Sequence, residues 1–302
     1  MTRADKRKLH YARSLKSEYS DEPINTYLLR PMAGVIVKLI YPTRITPNQL
    51  TIAAIIVGVL AAVYYHFGES STTAIAGLLV TLKDLLDSAD GQLARAKNLF
   101  SRRGRFIDSI GDFLVNLLIF SAITTTLYRT QPSAVTILLG LAGLIGITLQ
   151  VSYHVFYHVS YLHLQDLYQT NRLTEEIRDE DRQADPITFR LQKIFLVIYS
   201  WQDKFMYHID KWSKWQVEQL SVGEQKRFEN LWYSDRVGLR FSGFLGFGTE
   251  LALLTICSLL NELQLYLWLN LILMNSIWFV TILYRKVFLA PALLRTHQAA
   301  AK

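Results

Sequence analysis

The sequence predicts an all-α integral membrane protein with six transmembrane helices, an N-terminal helix in the membrane interface and a cytoplasmic helical insertion. Its apolar residues fall in runs of roughly 20, the length that a helix needs to cross a bilayer core of about 30 Å. Hydrophobic residues make up 51% of the 302 positions, without a pattern typical of a soluble domain. The single cysteine, Cys257, lies in an apolar run, so we expect no disulfide bond. Residues 1–21 are polar and charged, which predicts no cleavable signal peptide.

The predicted elements follow one another along the chain. Residues 22–41 contain apolar clusters interrupted by two basic residues, which indicates an interfacial helix rather than a span. Thr46 and Pro47 form a favourable N-cap and first-turn pair for the first span. The six spans are expected near 48–67, 73–90, 107–128, 133–158, 238–260 and 264–288. A polar and aromatic insertion follows the fourth span, so the chain divides into the parts 1–47, 48–159, 160–236 and 237–302.

Basic residues are concentrated on one side of the predicted membrane. The loops after the first, third and fifth spans together hold a single Lys or Arg, Arg129, whereas the segments on the other side hold many. The positive-inside rule therefore places both termini, and the loop between the second and third spans, in the cytoplasm. The net charge of +7 comes from residues that flank apolar helices and form no single patch. We therefore expect membrane lipids as partners and no nucleic acid.

Four aspartates flank the loop between the second and third spans. One helix face, at spacings of three and four residues, holds Asp87, Asp90, Gly91 and Ala94. A stripe on the next helix holds Gly104, Asp108 and Asp112. Because the short loop 98–104 joins these helices, the two faces can meet as an antiparallel pair. We therefore expect the four carboxylates to converge at the cytoplasmic boundary of the membrane.

Four converging carboxylates favour a metal site. Charges near the membrane are costly and close carboxylates repel one another, whereas two divalent cations would offset them. Mg²⁺ (or Mn²⁺) prefers oxygen ligands and keeps positions open for substrate phosphates, and paired metals hold a phosphate for in-line displacement. Gly91 and Ala94 leave room on the same face, and Arg95 offers a planar fork suited to phosphate. Each residue alone fits a solvated face, a helix cap or a packing contact, but the whole array does not.

The array resembles a known signature. It runs Asp87-x-x-Asp90-Gly91-x-x-Ala94-Arg95 and, after eight residues, Gly104-x-x-x-Asp108-x-x-x-Asp112. This spacing is similar to that of the CDP-alcohol phosphatidyltransferases. The resemblance extends to the interfacial helix, the "TPN" entry to the first span and the six spans, roughly 1–160 and 237–288, and leaves out the insertion. It also implies a homodimer, since members of the family are often dimeric.

The resemblance implies a role for each signature residue. Asp87, Asp90 and Asp108 would be metal ligands. Asp112 would also lie near the metals and would act as the base that takes the proton of the acceptor hydroxyl. The nucleotide and diphosphate would be lined by Gly91, Ala94, Arg95 and Gly104. Asn48, in the "TPN" element, would contact the nucleotide, although a part in the helix cap is an equally good interpretation.

The implied reaction moves a substituted phosphate from a CDP-linked donor to an alcohol and releases CMP, as a step of phospholipid biosynthesis. CDP-diacylglycerol is favoured as the donor over a CDP-linked headgroup that would act on a lipid alcohol. The residues after Asp108 disfavour glycerol 3-phosphate as the acceptor. A phosphorylated acceptor such as inositol phosphate would need further cations. Arg102, Arg103 and Arg105 are available, although anchoring at the cytoplasmic face is favoured for them, and the acceptor stays open.

Other interpretations of the sequence are weaker. An ion or proton transporter would place its acidic residues near the bilayer midplane, often on broken helices. A membrane prenyltransferase would need two separated aspartate-rich motifs, and the chain has one compact array. His154 and His158, four residues apart, suit a metal by spacing, but with no third ligand visible we expect an ordinary polar face.

Four more polar residues are candidates for supporting roles. Asp84 is expected to lie behind the metal ligands or on the surface. Asn116, one turn beyond Asp112, is expected to make a helix–helix hydrogen bond. Glu250 and Arg240 could face an acceptor pocket. A hydrogen-bonded glutamate and an arginine that extends to the membrane surface are equally good interpretations.

Overall fold

The computed structural model describes residues 21–165, 175–177, 181 and 185–300, and every regular element among them is helical, which confirms the all-α class. In chain order the α-helices are α1 (Arg30–Ile40), α2 (Pro47–Phe67), α3 (Ser70–Lys97), α4 (Arg102–Thr130), α5 (Ala134–Leu164), α6 (Pro186–Ser213), α7 (Val222–Tyr233), α8 (Arg236–Gly243), α9 (Phe247–Leu259), α10 (Leu263–Trp268), α11 (Asn275–Leu283) and α12 (Ala290–Ala300). Short 3₁₀ or π-helical segments lie at Asn25–Leu29, Trp215–Gln219, Leu269–Met274 and Tyr284–Leu289. Residues 1–20, which belong to the predicted cytoplasmic N-terminus, and part of the predicted insertion lie outside the described residues.

Five helical stretches are long and apolar enough to cross a membrane, and they indicate a multi-pass membrane protein. They are Pro47–Phe67, Arg102–Thr130, Ala134–Leu164, Arg236–Leu259 and Leu263–Arg295. The prediction of six spans is not confirmed, because α3, the expected second span, is not among them. Its C-terminal half carries Lys83, Asp84, Asp87 and Asp90 within about two helical turns. The charges that make α3 a candidate for chemistry are therefore also what sets it apart from the apolar helices.

Local sequence signals set the ends of the helices around the aspartates. Thr46 caps α2 in a reciprocal capping box with Gln49, whose Oε1 accepts from the Thr46 backbone N–H at 2.9 Å, and Pro47 takes the first turn. This confirms the predicted entry to the first span. Asn98 ends α3 in the left-handed conformation (φ 53°), and the Ser101 hydroxyl caps α4 by accepting from Gly104 N at 2.9 Å. The connection between the two aspartate-bearing helices is thereby short and fixed.

Small residues bring α2, α3 and α4 close together. Gly58 on α2 faces Val115 on α4 so closely that a Cβ added at Gly58 would lie 2.5 Å from the valine Cγ1. On the other side of α3, the hydroxyls of Thr81 and Thr255 are 2.9 Å apart, which ties α3 to α9. Glycines and hydroxyl residues are the usual contacts between membrane helices. α3 also packs against α2, so it is held on two sides and its carboxylates have defined positions.

Part of the insertion is helical, as predicted, and packs against α4 and α5. Phe195 on α6 lies with its ring centroid 5.2 Å from that of Phe106 on α4. The Tyr199 hydroxyl donates to the Ser109 backbone carbonyl at 2.5 Å. α6 thus lies directly on the helix that carries Asp108. The cytoplasmic location of the insertion stays a prediction.

The N-terminal helix α1 has one packed face and one exposed face. Ala33 and Val37 are fully buried, whereas Val35 and Leu39 are 61% and 71% exposed. The Gln92 side chain of α3 donates to the Arg30 carbonyl at 3.0 Å, which fixes the start of α1 against the aspartate helix. An exposed apolar face suits a membrane interface, but this placement of α1 also stays a prediction.

Candidate metal and nucleotide site

Three of the four aspartates that were expected to converge form one candidate cation group, and Asp112 is an electrostatic neighbour of all three. Asp87, Asp90 and Asp108 each offer a carboxylate oxygen, and these atoms all lie within 4.8 Å of one another. Asp90 is buried, and the other two are half-buried. We call these three residues the three-carboxylate group. Hard oxygen ligands at this separation fit a divalent cation such as Mg²⁺, which prefers carboxylates and leaves positions open for phosphate.

The fourth aspartate, Asp112, is held differently. Its carboxylate forms an ion pair with the Lys83 ammonium of α3, and both side chains are largely buried. It is not a member of the three-carboxylate group. The expectation that Asp112 also ligates the metals therefore stays a prediction, as does its role as a base.

Two residues outside the predicted set complete the carboxylate environment. The Thr51 hydroxyl of α2 donates to Asp90 Oδ2 at 2.5 Å, and Lys83 binds Asp112. Each carried a weak signal in the sequence. Thr51 lies one turn after the capped Pro47, and Lys83 lies four residues before Asp87 on the same helix. Neither signal predicts the contact, because each contact depends on how two helices pack.

The structure brings the predicted nucleotide-binding residues together in two pairs. The Asn48 side chain lies over Gly104, where an added Cβ would overlap its amide oxygen. The Arg95 guanidinium folds over Gly91, with its Nη1 3.4 Å from the position of an added Cβ. Ala94 is half-buried on the same helix. The two glycines therefore give room to polar side chains that can bind phosphate and base, although their contact with a nucleotide stays a prediction.

The arginines near the start of α4 are engaged by the insertion. Arg102 forms ion pairs with Glu175 and Asp181, and Arg105 forms an ion pair with Glu175. Arg103 lies within electrostatic reach of Asp185, the residue that caps α6. The partner that the structure shows for these arginines is the insertion, and their anchoring at the cytoplasmic face stays a prediction.

Two of the remaining candidates, Asp84 and Glu250, are buried. Asp84 is buried next to Lys83, so it lies behind the site and not on the surface. Glu250 is fully buried and accepts from Asn270 Nδ2 at 3.0 Å and from the Tyr266 hydroxyl at 3.3 Å, which confirms the hydrogen-bonded interpretation. Arg240 is exposed.

The histidine pair and Asn116 are also buried. His154 and His158 stack with ring centroids 5.6 Å apart, and His154 Nε2 lies 3.9 Å from Glu22 Oε1. Within the described part of the chain they belong to no group of three or more metal-ligating side chains. Asn116 is buried on α4, and its predicted helix–helix hydrogen bond stays a prediction.

Comparison with known proteins connects this geometry to a family. A family model described as CDP-alcohol phosphatidyltransferase matches residues 44–217. The match extends into the insertion, which the resemblance was expected to leave out, and it ends before the last spans, which the resemblance was expected to include. It covers all of the signature residues and Asn48.

Three curated relatives share part of the chain. The Bifunctional IPC transferase and DIPP synthase of Archaeoglobus fulgidus is 38% identical over 85 residues, or 28% of this chain and 16% of the relative. A protein of the same description from Thermococcus kodakarensis is 32% identical over 110 residues, or 36% of this chain and 24% of the relative. The Archaetidylinositol phosphate synthase of Pyrococcus horikoshii is 39% identical over 70 residues, or 23% of this chain and 36% of the relative. In each case the matched region spans well under half of the relative's own length.

Proposed function

Since this chain belongs to the CDP-alcohol phosphatidyltransferase family, we propose that it transfers a substituted phosphate, phosphatidyl from CDP-diacylglycerol, to an alcohol acceptor and releases CMP. The observation that supports this most is the three-carboxylate group, whose oxygens lie within 4.8 Å of one another, with Gly91 next to Asp90 in the chain and the Arg95 guanidinium over Gly91. Such a set suits a diphosphate bound through divalent cations. A CDP-linked headgroup acting on a lipid alcohol is the alternative donor arrangement.

In the proposed reaction, one phosphorus–oxygen bond forms and one breaks. The acceptor hydroxyl oxygen bonds to the phosphorus that carries the lipid alcohol. The bond from that phosphorus to the bridging oxygen breaks, and CMP leaves with this oxygen and the electron pair. Asp112 takes the hydroxyl proton. Bound divalent cations, two in this proposal, would offset the charge of the diphosphate and of the departing CMP.

The residues of this chain would bind and orient the donor. Asp87, Asp90 and Asp108 would hold the cations, and the Thr51 hydroxyl fixes one oxygen of Asp90. Arg95 would bind a phosphate oxygen, and Asn48 at the start of α2 would contact the nucleotide. Following the distribution of basic residues, we place this site on the cytoplasmic side. A homodimer remains part of the proposal.

An inositol phosphate is the first acceptor to test. The name of the Pyrococcus horikoshii relative describes a synthase of archaetidylinositol phosphate, although the match covers a minority of either chain. Arg102 and Arg105 are not the cations that we assign to such an acceptor, because carboxylates of the insertion already bind them. The transporter alternative has less support, since the aspartates all lie within about three helical turns of the short loop that joins α3 and α4.

A release assay tests the proposal. Purified protein in detergent is incubated with CDP-diacylglycerol and a panel of acceptors: inositol, inositol phosphate, serine, glycerol 3-phosphate and water alone. We expect acceptor-dependent release of CMP with Mg²⁺ or Mn²⁺ and none with excess chelator. Parallel reactions with CDP-linked headgroups and diacylglycerol test the alternative donor. Release that continues undiminished in chelator, or no release with any donor, would contradict the proposal.

A further inference from the structure

The long helix α6 of the insertion leaves a row of large apolar side chains exposed. The row, which we call the apolar stripe, holds Ile187, Ile194, Trp201, Phe205 and Trp212, and each of them is 43–55% exposed. With 3.6 residues per turn, these five side chains fall within an arc of about 40° on the helix surface. An exposed apolar row of this length marks a surface that contacts a membrane or another protein.

A second row of exposed side chains on α6 is basic. This basic stripe holds Lys193, Lys204 and Lys211, which lie within an arc of about 20° and about 90° around the helix from the apolar stripe. An apolar stripe beside a basic one is typical of a helix that lies in a membrane interface. The lysines of such a helix lie at the level of the headgroups, where they attract anionic lipids.

The contacts of α6 with the spans place it at one depth of the membrane. It meets α4 at Ser109, α5 at Ser152 and, through the Trp212 ring, the Lys286 ammonium that follows α11. At 1.5 Å per residue, these points lie about 27–35 Å from the opposite ends of their membrane-spanning stretches. A bilayer core is about 30 Å thick. The axis of α6 therefore lies along the membrane boundary, on the side that holds the aspartates.

The same contacts show which stripe faces the bilayer. The Gln202 side chain accepts from the Ser152 hydroxyl at 2.5 Å. Asp210 accepts from Tyr157, which lies more than one helical turn closer to the end of α5 on the aspartate side. The side of α6 that carries Gln202 is therefore the deeper one. Around the helix, the apolar stripe follows Gln202 on this deep side, and the basic stripe follows Asp210 on the shallow side.

We propose that α6 is an interfacial helix whose apolar stripe lies at the boundary of the acyl chains and whose basic stripe binds the headgroups of anionic lipids. Its partner is the surface of the bilayer. This inference depends on the placement of the spans and not on the proposed reaction. Tyr199 of α6 binds the carbonyl of Ser109, the residue after Asp108. A membrane-bound α6 therefore supports the helix that carries this aspartate.

Spin labels on the full chain in lipid nanodiscs test the depth of α6. Single cysteines replace Ile194 or Phe205 in the apolar stripe and Lys193 or Lys204 in the basic stripe, and Cys257→Ala removes the native thiol. Power saturation compares collisions with O₂, which concentrates among acyl chains, and with a water-soluble nickel complex. We expect the ratio of O₂ to nickel collisions to be about tenfold higher or more in the apolar stripe. Two positions in each stripe keep the comparison available if one variant does not fold.

Spin-labelled lipids test the role of the basic stripe. The wild-type protein should bind labelled phosphatidylglycerol in preference to labelled phosphatidylcholine. The double variant Lys193→Gln, Lys204→Gln should lower this preference by about twofold or more. The matched control is Lys226→Gln, Arg227→Gln, which removes two exposed charges from α7, the helix that meets α6 on its shallow side. This control should keep the wild-type preference.

High nickel collision rates at both stripes would show that α6 lies in water and would overturn the proposal. Low rates with both reagents at the apolar stripe would show that protein covers it, and dipolar broadening between labels would identify that protein as a second copy of the chain. Either result would also overturn the proposal. An equal loss of lipid preference in the α7 control would show that net charge alone attracts the lipid, against a headgroup site on α6. None of these readouts requires release of CMP, so they stand apart from any failure of the proposed function.

Discussion

Two carboxylate sites in this molecule differ in what surrounds their negative charge. Asp210 on α6 is fully buried, and four side chains of the protein contact its carboxylate. Its oxygens accept from Tyr157, Trp232 and Tyr233 at 2.8 Å each, and the Lys214 ammonium lies 3.0 Å away. The three-carboxylate group, in contrast, gathers three acids around one point, with Thr51 as the protein donor to Asp90.

The difference separates a structural acid from a candidate functional one. Burial and the charge of Asp210 raise the pKa of Tyr233 well above its usual range, so this hydroxyl stays a donor. Three hydrogen bonds and one ion pair satisfy the Asp210 carboxylate, so it needs no metal ion to offset its charge. These contacts join α6 and α7 of the insertion to α5. The three-carboxylate group has mutual repulsion that cations from solution would relieve. The Asp210 carboxylate, whose hydrogen-bonding positions are filled by the protein, therefore stabilises the fold. The three-carboxylate group is instead a candidate site for a bound cation.

The largest effect that would sharpen this comparison is expected from Asp112→Asn. The amide cannot take a proton from the acceptor, so we expect turnover to fall by about 10²- to 10⁴-fold. Metal-dependent binding of the CDP-donor should persist, because the three-carboxylate group is intact. Full turnover in this variant would show that Asp112 is not the base. The double variant Lys83→Met with Asp112→Asn removes both members of the buried ion pair and should be as inactive, which controls for the unpaired lysine.

A large effect of another kind is expected from Asp210→Asn. The amide nitrogen would place a donor against the Tyr233 hydroxyl and the Lys214 ammonium, which should lower Tm by roughly 5–10 °C. CMP release per folded molecule should stay within about twofold of wild type, measured below the transition. Glu229→Gln removes the exposed partner of the same lysine and should shift Tm by less than about 2 °C. A loss of turnover without a loss of stability in Asp210→Asn would contradict the structural role assigned to Asp210.

The smallest effect is expected at the edge of the nucleotide site. Gly104→Ala adds a methyl group where the Asn48 amide lies, so Asn48 must move. We expect KM for the CDP-donor to rise by about three- to tenfold with little change in kcat. Gly223→Ala is the matched control, because an added Cβ there meets nothing within 4 Å. An unchanged KM in Gly104→Ala would place the nucleotide away from Asn48.

The parts of the site that follow from helix periodicity were predictable from the sequence. Asp87, Asp90 and Asp108 converge because three- and four-residue spacings share a helix face and a short loop aligns the two helices. Thr46 and Pro47 predicted the start of α2 for equally local reasons.

The parts that depend on contacts distant in sequence were not predictable. Thr51 reaches Asp90 across 39 positions, and Glu175 reaches Arg105 across 70, so no local pattern encodes either contact. The prediction of six spans is not confirmed, because the charged second half of α3 carries the site and keeps this helix out of the five apolar stretches. The candidate metal ligands could therefore be predicted from the sequence, whereas the contacts that other helices make with them could be seen only in the structure.

Mn²⁺ binding, measured by electron paramagnetic resonance on wild type, Asp108→Asn and Asp210→Asn, tests the contrast between the two carboxylate sites most directly. We predict that the wild-type chain binds about two Mn²⁺ ions that Mg²⁺ displaces, that Asp108→Asn loses this binding and that Asp210→Asn keeps it. Undiminished Mn²⁺ binding in Asp108→Asn, or its loss in folded Asp210→Asn, would contradict the assignment of the three-carboxylate group as the metal site.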